Sequence, residues 1–273
     1  MRMLTTLLLM LCLAACSAPE STRIYVFDNG KISGLDPALF NFSADELAEV
    51  DFVNSSYLIV HPDGTLMFDA GAVPDEAFEG HEGPVVEGIM SATQALAPQL
   101  ASAGYAPEDI DFFAMSHYHS DHTANANLFA GSTWIVQQAE RDFMFAADPQ
   151  GIVNTGTYSE LRDAATIILD DEDYDVFGDG SVVLLSTPGH TPGHQLLVVN
   201  LENAGWIVLA GDLYHYPEER GTGRVPTFEF DADQSRVSRE RVEQFITDND
   251  ATLWIEHDIP THAALPKAPN FVD

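Results

Sequence analysis

The sequence predicts a mixed α/β domain in which two strand-rich halves have helices between them. Three observations predict it. Short apolar runs of strand length recur in both halves, among them Ser56-Tyr57-Leu58-Ile59-Val60 and Val182-Val183-Leu184-Leu185. Helix-like stretches separate such runs, the alternation expected of a layered fold. No linker-like break interrupts the chain after residue 23, so 23–273 reads as one domain.

In chain order, Arg2 and the run Leu7-Leu8-Leu9-Met10-Leu11 followed by small residues make 1–15 a secretory signal, too short to span a bilayer. Leu13-Ala14-Ala15-Cys16 resembles a bacterial lipobox, which implies cleavage before Cys16, lipidation of that residue and a mature chain of 258 residues (273 less 15). Ordinary cleavage nearby is the alternative. Ser17 after the cysteine suggests sorting to the outer membrane, so the expected place is the bacterial cell envelope, on the periplasmic side, with the lipid as the only membrane attachment. Cys12 falls in the removed segment, which leaves Cys16 alone and excludes an intramolecular disulfide. Residues 16–22 read as a tether.

Arg23 to Gly30 alternates and ends in a turn signal, a strand reading. From Leu35 to Phe52 the chain carries Phe40, Phe42 and Phe52 without a period, the wall of a substrate pocket or a loop pinned to the core. Ser56–Val60 and Thr65–Phe68 flank His61-Pro62-Asp63-Gly64, a hairpin signal that assigns His61 to the turn. Ala92 to Gly104 reads as a helix with Leu96 and Leu100 on one face. Asp121–Ala130 then reads as helix, Thr133–Val136 as strand, Gln137–Ala146 as helix and 147–160 as loop; a last helix spans about Gln234–Thr247, before the strand that leads to His257.

The whole chain carries 11 basic and 43 acidic residues. Losing Arg2 leaves 10 against 43, or -33, a field that disfavours nucleic acid and anionic lipid surfaces. With 45% hydrophobic residues the chain can still bury a large core, so the acidity is a solvated surface and not a sign of disorder.

The chemistry concentrates in Ser116-His117-Tyr118-His119-Ser120-Asp121-His122, after the apolar run Ile110–Met115. If the segment is extended, His117, His119 and Asp121 project one way towards a cation and His122 can turn to a second. One isolated HxH pair can be structural; four ligand-bearing side chains in six positions are far more specific. A site of this kind needs about four groups per metal, so other strand ends must contribute. His190 in Thr187-Pro188-Gly189-His190-Thr191-Pro192-Gly193-His194, Asp212 after Trp206–Leu209, and His257 after Leu253–Ile255 are the candidates. His194 reads as a packed histidine in a Pro-Gly turn or as a group behind the ligands; His81 and His262 lie in loop sequence and support no role.

This ordered set, HxHxDH then His, Asp and His, resembles the metallo-β-lactamase superfamily over most of the mature chain. The resemblance implies a four-layer αββα sandwich. It also implies that His117, His119 and His190 hold one metal, that Asp121, His122 and His257 hold a second, that Asp212 bridges them, and that Asp69 in Asp69-Ala70-Gly71 buttresses the histidine loop from behind. Zinc suits the nitrogen-rich set, with iron, manganese or cobalt also acceptable. Within the superfamily, Ile24–Gly30, Thr187–Gln195, Gly211–His215 and Trp254–Asp258 resemble N-acyl homoserine lactonases, which implies a small neutral acyl-lactone substrate opened in quorum quenching. Many of those enzymes place a tyrosine three residues after the bridging aspartate to hold the substrate carbonyl; here His215 occupies that slot with Tyr214 before it, and Ser120 replaces an aromatic before Asp121. Asp121, Asp212, His215 and Tyr214 are therefore the catalytic candidates. Other ester, thioester or phosphotriester hydrolysis on the same fold is the alternative, a metal-binding scaffold without activity is a third reading, and a homodimer is left open.

Overall fold

The computed structural model describes residues 21–149 and 151–273. The export signal over 1–15, Cys12, Cys16, Ser17 and all of the tether but its last two residues lie outside the described residues. Among the described residues thirteen strands form two sheets: β1 (Arg23–Ile32), β2 (Phe52–His61), β3 (Gly64–Phe68), β4 (Val85–Glu87), β5 (Met90–Ala92), β6 (Phe112–Ala114), β7 (Thr133–Gln137) and β8 (Thr166–Leu169) make the larger, in the order β4-β5-β1-β2-β3-β6-β7-β8. The smaller contains β9 (Tyr174–Asp175), β10 (Val182–Ser186), β11 (Gln195–Leu201), β12 (Gly205–Leu209) and β13 (Thr252–Trp254), in the order β13-β12-β11-β10-β9. Helices α1 (Leu96–Ser102), α2 (Ser120–Thr123), α3 (Gln138–Met144), α4 (Pro217–Thr222), α5 (Ala232–Asn249) and α6 (Ile259–Ala264) complete the frame. None of the described helices is long and apolar enough to cross a membrane.

The layers follow from the two-residue period of the strands. In β1, Ile24 and Val26 enter the core between the sheets, against Leu184, Leu197, Val199 and Leu209, while Tyr25 and Phe27 face the opposite side with Leu96 and Leu100 of α1. The outer face of the small sheet, with Leu196, Val198 and Val208, is covered by Val242, Phe245 and Ile246 of α5. Helix, sheet, sheet and helix therefore stack in four layers, as the αββα reading expected.

Several boundaries differ from the sequence reading, each for a tertiary reason. β1 runs through Asn29-Gly30 to Ile32, because the turn signal there is a bulge: register shifts between Asp28 and Lys31, and Gly30 has φ 102° with Ser91 O only 1.9 Å from where a Cβ would sit. Ala92 pairs with Val85 in a hairpin, so α1 begins only at Leu96, where the Asp75 carboxylate accepts from the Leu96 and Ala97 N–H groups. Asp121–Ala130 is not one helix. It breaks at Asn125, whose side chain donates to Ala70 O and Val73 O and accepts from Asp75 N–H, leaving α2 and a 3₁₀ turn at Ala126–Phe129. The last long helix exceeds its expected span at both ends, capped by Asp231. The 35–52 segment joins both readings: Phe40 and Phe42 are pinned in a cluster with Ile32, Phe52 and Tyr216, and the same rings border the site below.

Candidate active site

Four loops leave the carboxyl ends of β6, β10, β12 and β13 at one edge of the sandwich, where open sheets place ligands. Strict alternation in the first loop ends at His119, because α2 starts at Ser120 and turns Asp121 and His122 away from the His117 and His119 side. Two buried groups result. His117, His119, His190 and Asp212 form one; Asp121, His122 and His257 form the other.

Asp212 faces both. Its Oδ2 lies 3.3 Å from His190 Nε2 and 3.6 Å from His117 Nε2, while Oδ1 lies 3.0 Å from His257 Nε2 and 3.2 Å from His122 Nε2. Asp121 Oδ2 is 3.5 Å from His122 Nε2 and 3.7 Å from His257 Nε2, and His190 Nε2 is 3.1 Å from His119 Nδ1. Such spacings match the edges of a tetrahedron about a cation with bonds near 2.0–2.1 Å, roughly 3.3 Å. The donor set also fits two cations by its unmet bonds: His117 Nε2, His122 Nε2 and Asp212 Oδ1 are buried without a hydrogen-bond partner. Burial holds His117 well below the usual imidazole range and His119 down at about 3, so both present lone pairs. Burial would lower His122 as well, but Glu256, Asp212, Asp121 and Asp69 outweigh it and push its pKa well up. A cation at that lone pair would replace the proton.

A second layer fixes these lone pairs. His257 Nδ1–H donates to Val53 O at 2.9 Å, leaving Nε2 for the cluster. Asp69 Oδ1 accepts from Ser116 N–H at 2.7 Å and its Oδ2 lies 3.2 Å from His122 Nδ1, so it packs behind the histidine loop. Asp69 itself sits at φ 60°. His194 is fully buried, its Nδ1 at 3.2 Å from Thr187 O and its Nε2 accepting from Asp212 N–H at 3.2 Å, so the packed histidine also orients the bridging residue. Gly211, with φ 48°, makes room, since a Cβ there would meet Ser116 Cβ at 2.5 Å. Glu229 is 3.4 Å from His190 Nδ1 and accepts from Ser235 Oγ at 2.6 Å. His81 takes no part, and His262, expected in a loop, is on α6 beside Ser55 Oγ.

The two residues after Asp212 part ways. His215 turns into the site, with Nε2 3.1 Å from Asp212 Oδ2 and Nδ1 3.5 Å from Glu219 Oε1, and its ring 4.9 Å from that of Phe40. Burial would lower its pKa, but Asp212 and Glu219 outweigh it and raise it to about 10. Arg239 holds Glu219 in turn at 2.5 Å. Tyr214 faces the other way. Its hydroxyl donates to Glu243 Oε1 at 3.0 Å and the Arg239 guanidinium covers its ring, so as a catalytic candidate it is withdrawn. Beside His215 and His257 a cavity of 190 Å³ opens, bounded by Ala48, Asp51, Tyr216 and Ile259. A 640 Å³ groove elsewhere, along Arg220, Glu243 and Leu253, touches none of the ligand residues.

Glu140, Glu219, Glu229 and Glu256 were not marked by the sequence reading. Glu256, adjoining His257, and Glu219, four residues after His215, carried a local signal; Glu140 and Glu229 lie far along the chain from the residues they meet.

A sandwich with two His/Asp clusters joined by one aspartate at its sheet ends defines a class, and a family model of the metallo-beta-lactamase superfamily matches residues 50–257. The chain belongs to the metallo-β-lactamase superfamily and is a hydrolase. It is 29% identical over 226 residues to the N-acyl homoserine lactonase AttM of Rhizobium radiobacter, covering 79% of this chain and 85% of that one. It is likewise 29% identical over 230 residues to an N-acyl homoserine lactonase of a Bacillus species, with the same coverage. Among solved structures, a quorum-quenching N-acyl homoserine lactone lactonase superposes with a TM-score of 0.75 at 23% identity, over 92% of this chain and 98% of that one. The hydrolase AbOPH of the β-lactamase superfamily superposes at 0.65 with 18% identity over 89% of each, a likeness of fold.

Proposed function

We propose that this chain opens the lactone ring of N-acyl homoserine lactones, with two divalent cations held by Asp212 and the six His and Asp residues around it. The observation that carries the reading is the division of Asp212 between two buried clusters, in a chain whose similar relatives are named as such lactonases. Zinc suits the six nitrogen and oxygen donor side chains beside the bridge.

When bound, the cations supply Lewis acidity, which lowers the pKa of water and draws electrons from the carbonyl oxygen. The protein's own groups do the rest. His215, buried with Nε2 3.1 Å from Asp212 Oδ2 and its ring lining the cavity, donates Nε2–H to the carbonyl oxygen as that oxygen gains charge, a bond that strengthens in the transition state. Glu219, anchored by Arg239, keeps the ring in that orientation. Asp121 takes the proton released by the attacking water and returns it to the ring oxygen as the acyl–oxygen bond breaks. Water is thereby added across one ester bond. Phe40 and Phe52 wall the approach on the His215 and His257 side and keep the ring dry.

A second reading, hydrolysis of another neutral ester or of a phosphotriester, is favoured by one feature: His215 stands in the slot where many lactonases carry tyrosine. The experiment is a substrate panel on the purified protein, comprising homoserine lactones of several acyl lengths, a thioester and a phosphotriester. The lactones are expected to give the highest kcat/KM; a phosphotriester or thioester that outpaces every lactone would replace the reading with its alternative.

A further inference from the structure

Glu140 is a carboxylate buried at 3% exposure in a chain whose other acidic residues mostly face water, and it is no ligand. It projects from the first turn of α3, two residues past the helix's first, and its two oxygens are used in full. Oε1 accepts from Tyr118 N–H at 2.8 Å and from the Thr191 hydroxyl at 3.0 Å; Oε2 accepts from Gly193 N–H at 2.8 Å and from the same hydroxyl at 2.8 Å. Tyr118 lies between His117 and His119. Thr191 follows His190, and Gly193 precedes the His194 that accepts from Asp212 N–H. The second loop is pressed against the helix start: a Cβ on Gly193 would stand 2.6 Å from Glu140 N. One carboxylate thus joins the loop that carries two ligands of the first cluster to the loop that carries the third, although the loops are some seventy residues apart in sequence.

We propose that Glu140 is a positioning residue of the first cluster, a crosslink between the His117/His119 loop and the His190 loop that sets the 3.1 Å spacing of His119 Nδ1 and His190 Nε2. The physical reason lies in the partners. A buried carboxylate is costly unless donors surround it, and all three donors here belong to the two ligand loops and none to α3's own neighbourhood. The crosslink is one-sided, since an amide in the same place would turn an NH₂ group towards an N–H. Burial pushes the Glu140 carboxyl up to about 7, and the bonds from Thr191, Gly193 and Tyr118 pull the other way. The inference rests on the reading that the cluster binds cations, and not on which ester is cleaved.

The test is cobalt(II) titration of the full chain after removal of bound metal, followed by visible absorption and by isothermal titration, with kcat/KM as a separate readout. Glu140→Gln and Thr191→Val are expected to weaken cobalt binding at one of the two sites by about ten- to hundredfold and to alter its absorption bands, while Thr191→Ser, which keeps the hydroxyl, restores both. A merely structural role would lower the melting temperature of the metal-free protein and leave affinity and bands unchanged. That result in Glu140→Gln, or in Thr191→Val should the glutamine variant not fold, overturns the proposal. Failure of the unaltered chain to take up cobalt at all would overturn the cation reading and the proposal with it, and is told apart because it appears before any substitution is made.

Discussion

The two ends of β2 each stack a buried histidine on a phenylalanine beside an aspartate, and only one of them belongs to the site. At the far end His61 lies 4.2 Å from the Phe177 ring at 6° and 3.1 Å from Asp179 Oδ2; at the near end His257 lies 4.6 Å from the Phe52 ring at 12° and 3.0 Å from Asp212 Oδ1. Burial, stacking and a carboxylate are therefore shared and cannot mark a ligand. The difference is in the second ring nitrogen. His61 Nδ1 accepts from Asp63 N–H, so Nε2 is the donor to Asp179 and both nitrogens are spent. His257 Nδ1–H is spent on Val53 O, which leaves Nε2 facing two carboxylates, beside the unpartnered Nε2 of His122. What marks the site is a convergence of lone pairs with no donor to meet them.

That contrast can be broken most sharply at its near end. His257→Ala is expected to take the purified protein from close to two transition-metal ions per chain to one or none, with turnover falling to background, because first-layer ligands act as a unit. Metal analysis checks it, and active enzyme with full metal would sink the dinuclear reading.

A smaller effect sharpens the division between neighbours of Asp212. His215→Ala is expected to cost on the order of a hundredfold in turnover with both ions retained, the usual scale for losing one donor to a developing oxyanion. Tyr214→Phe is expected to leave turnover near normal and to cost about 1 kcal/mol of stability, since it loses only the bond to Glu243. Collapse of turnover in Tyr214→Phe would reverse the assignment.

The smallest effect belongs to the far end. His61→Ala is expected to lower stability by about 1–2 kcal/mol through the lost stack and hydrogen bonds, as read by urea denaturation, with metal content and kcat/KM unchanged. A change in either would show that the far histidine is coupled to the site after all.

The His/Asp motif was legible because its members are adjacent in sequence, and His190, Asp212 and His257 because each follows an apolar run at a strand end. The ends of elements were less legible. Asn125 breaks a helix whose residues favour it, since its amide reaches Ala70 and Val73 on another segment, and Ala92 joins a strand because the bulge at Gly30 lies against it. Propensity cannot see either partner.

By itself, then, the sequence determined which His and Asp side chains gather at one edge of the sandwich, the hairpin at His61 and the two-residue rhythm that sends Ile24 and Tyr25 to opposite faces, because spacing along a strand or turn dictates direction over a few residues. The tertiary structure alone decided which oxygen of Asp212 meets which cluster, that Tyr214 turns from the site while His215 enters it, and that Glu140 ties the loops of His117 and His190 together. Those outcomes depend on where β12, α3 and α5 stand relative to one another, and packing across the layers sets that over distances no local spacing records.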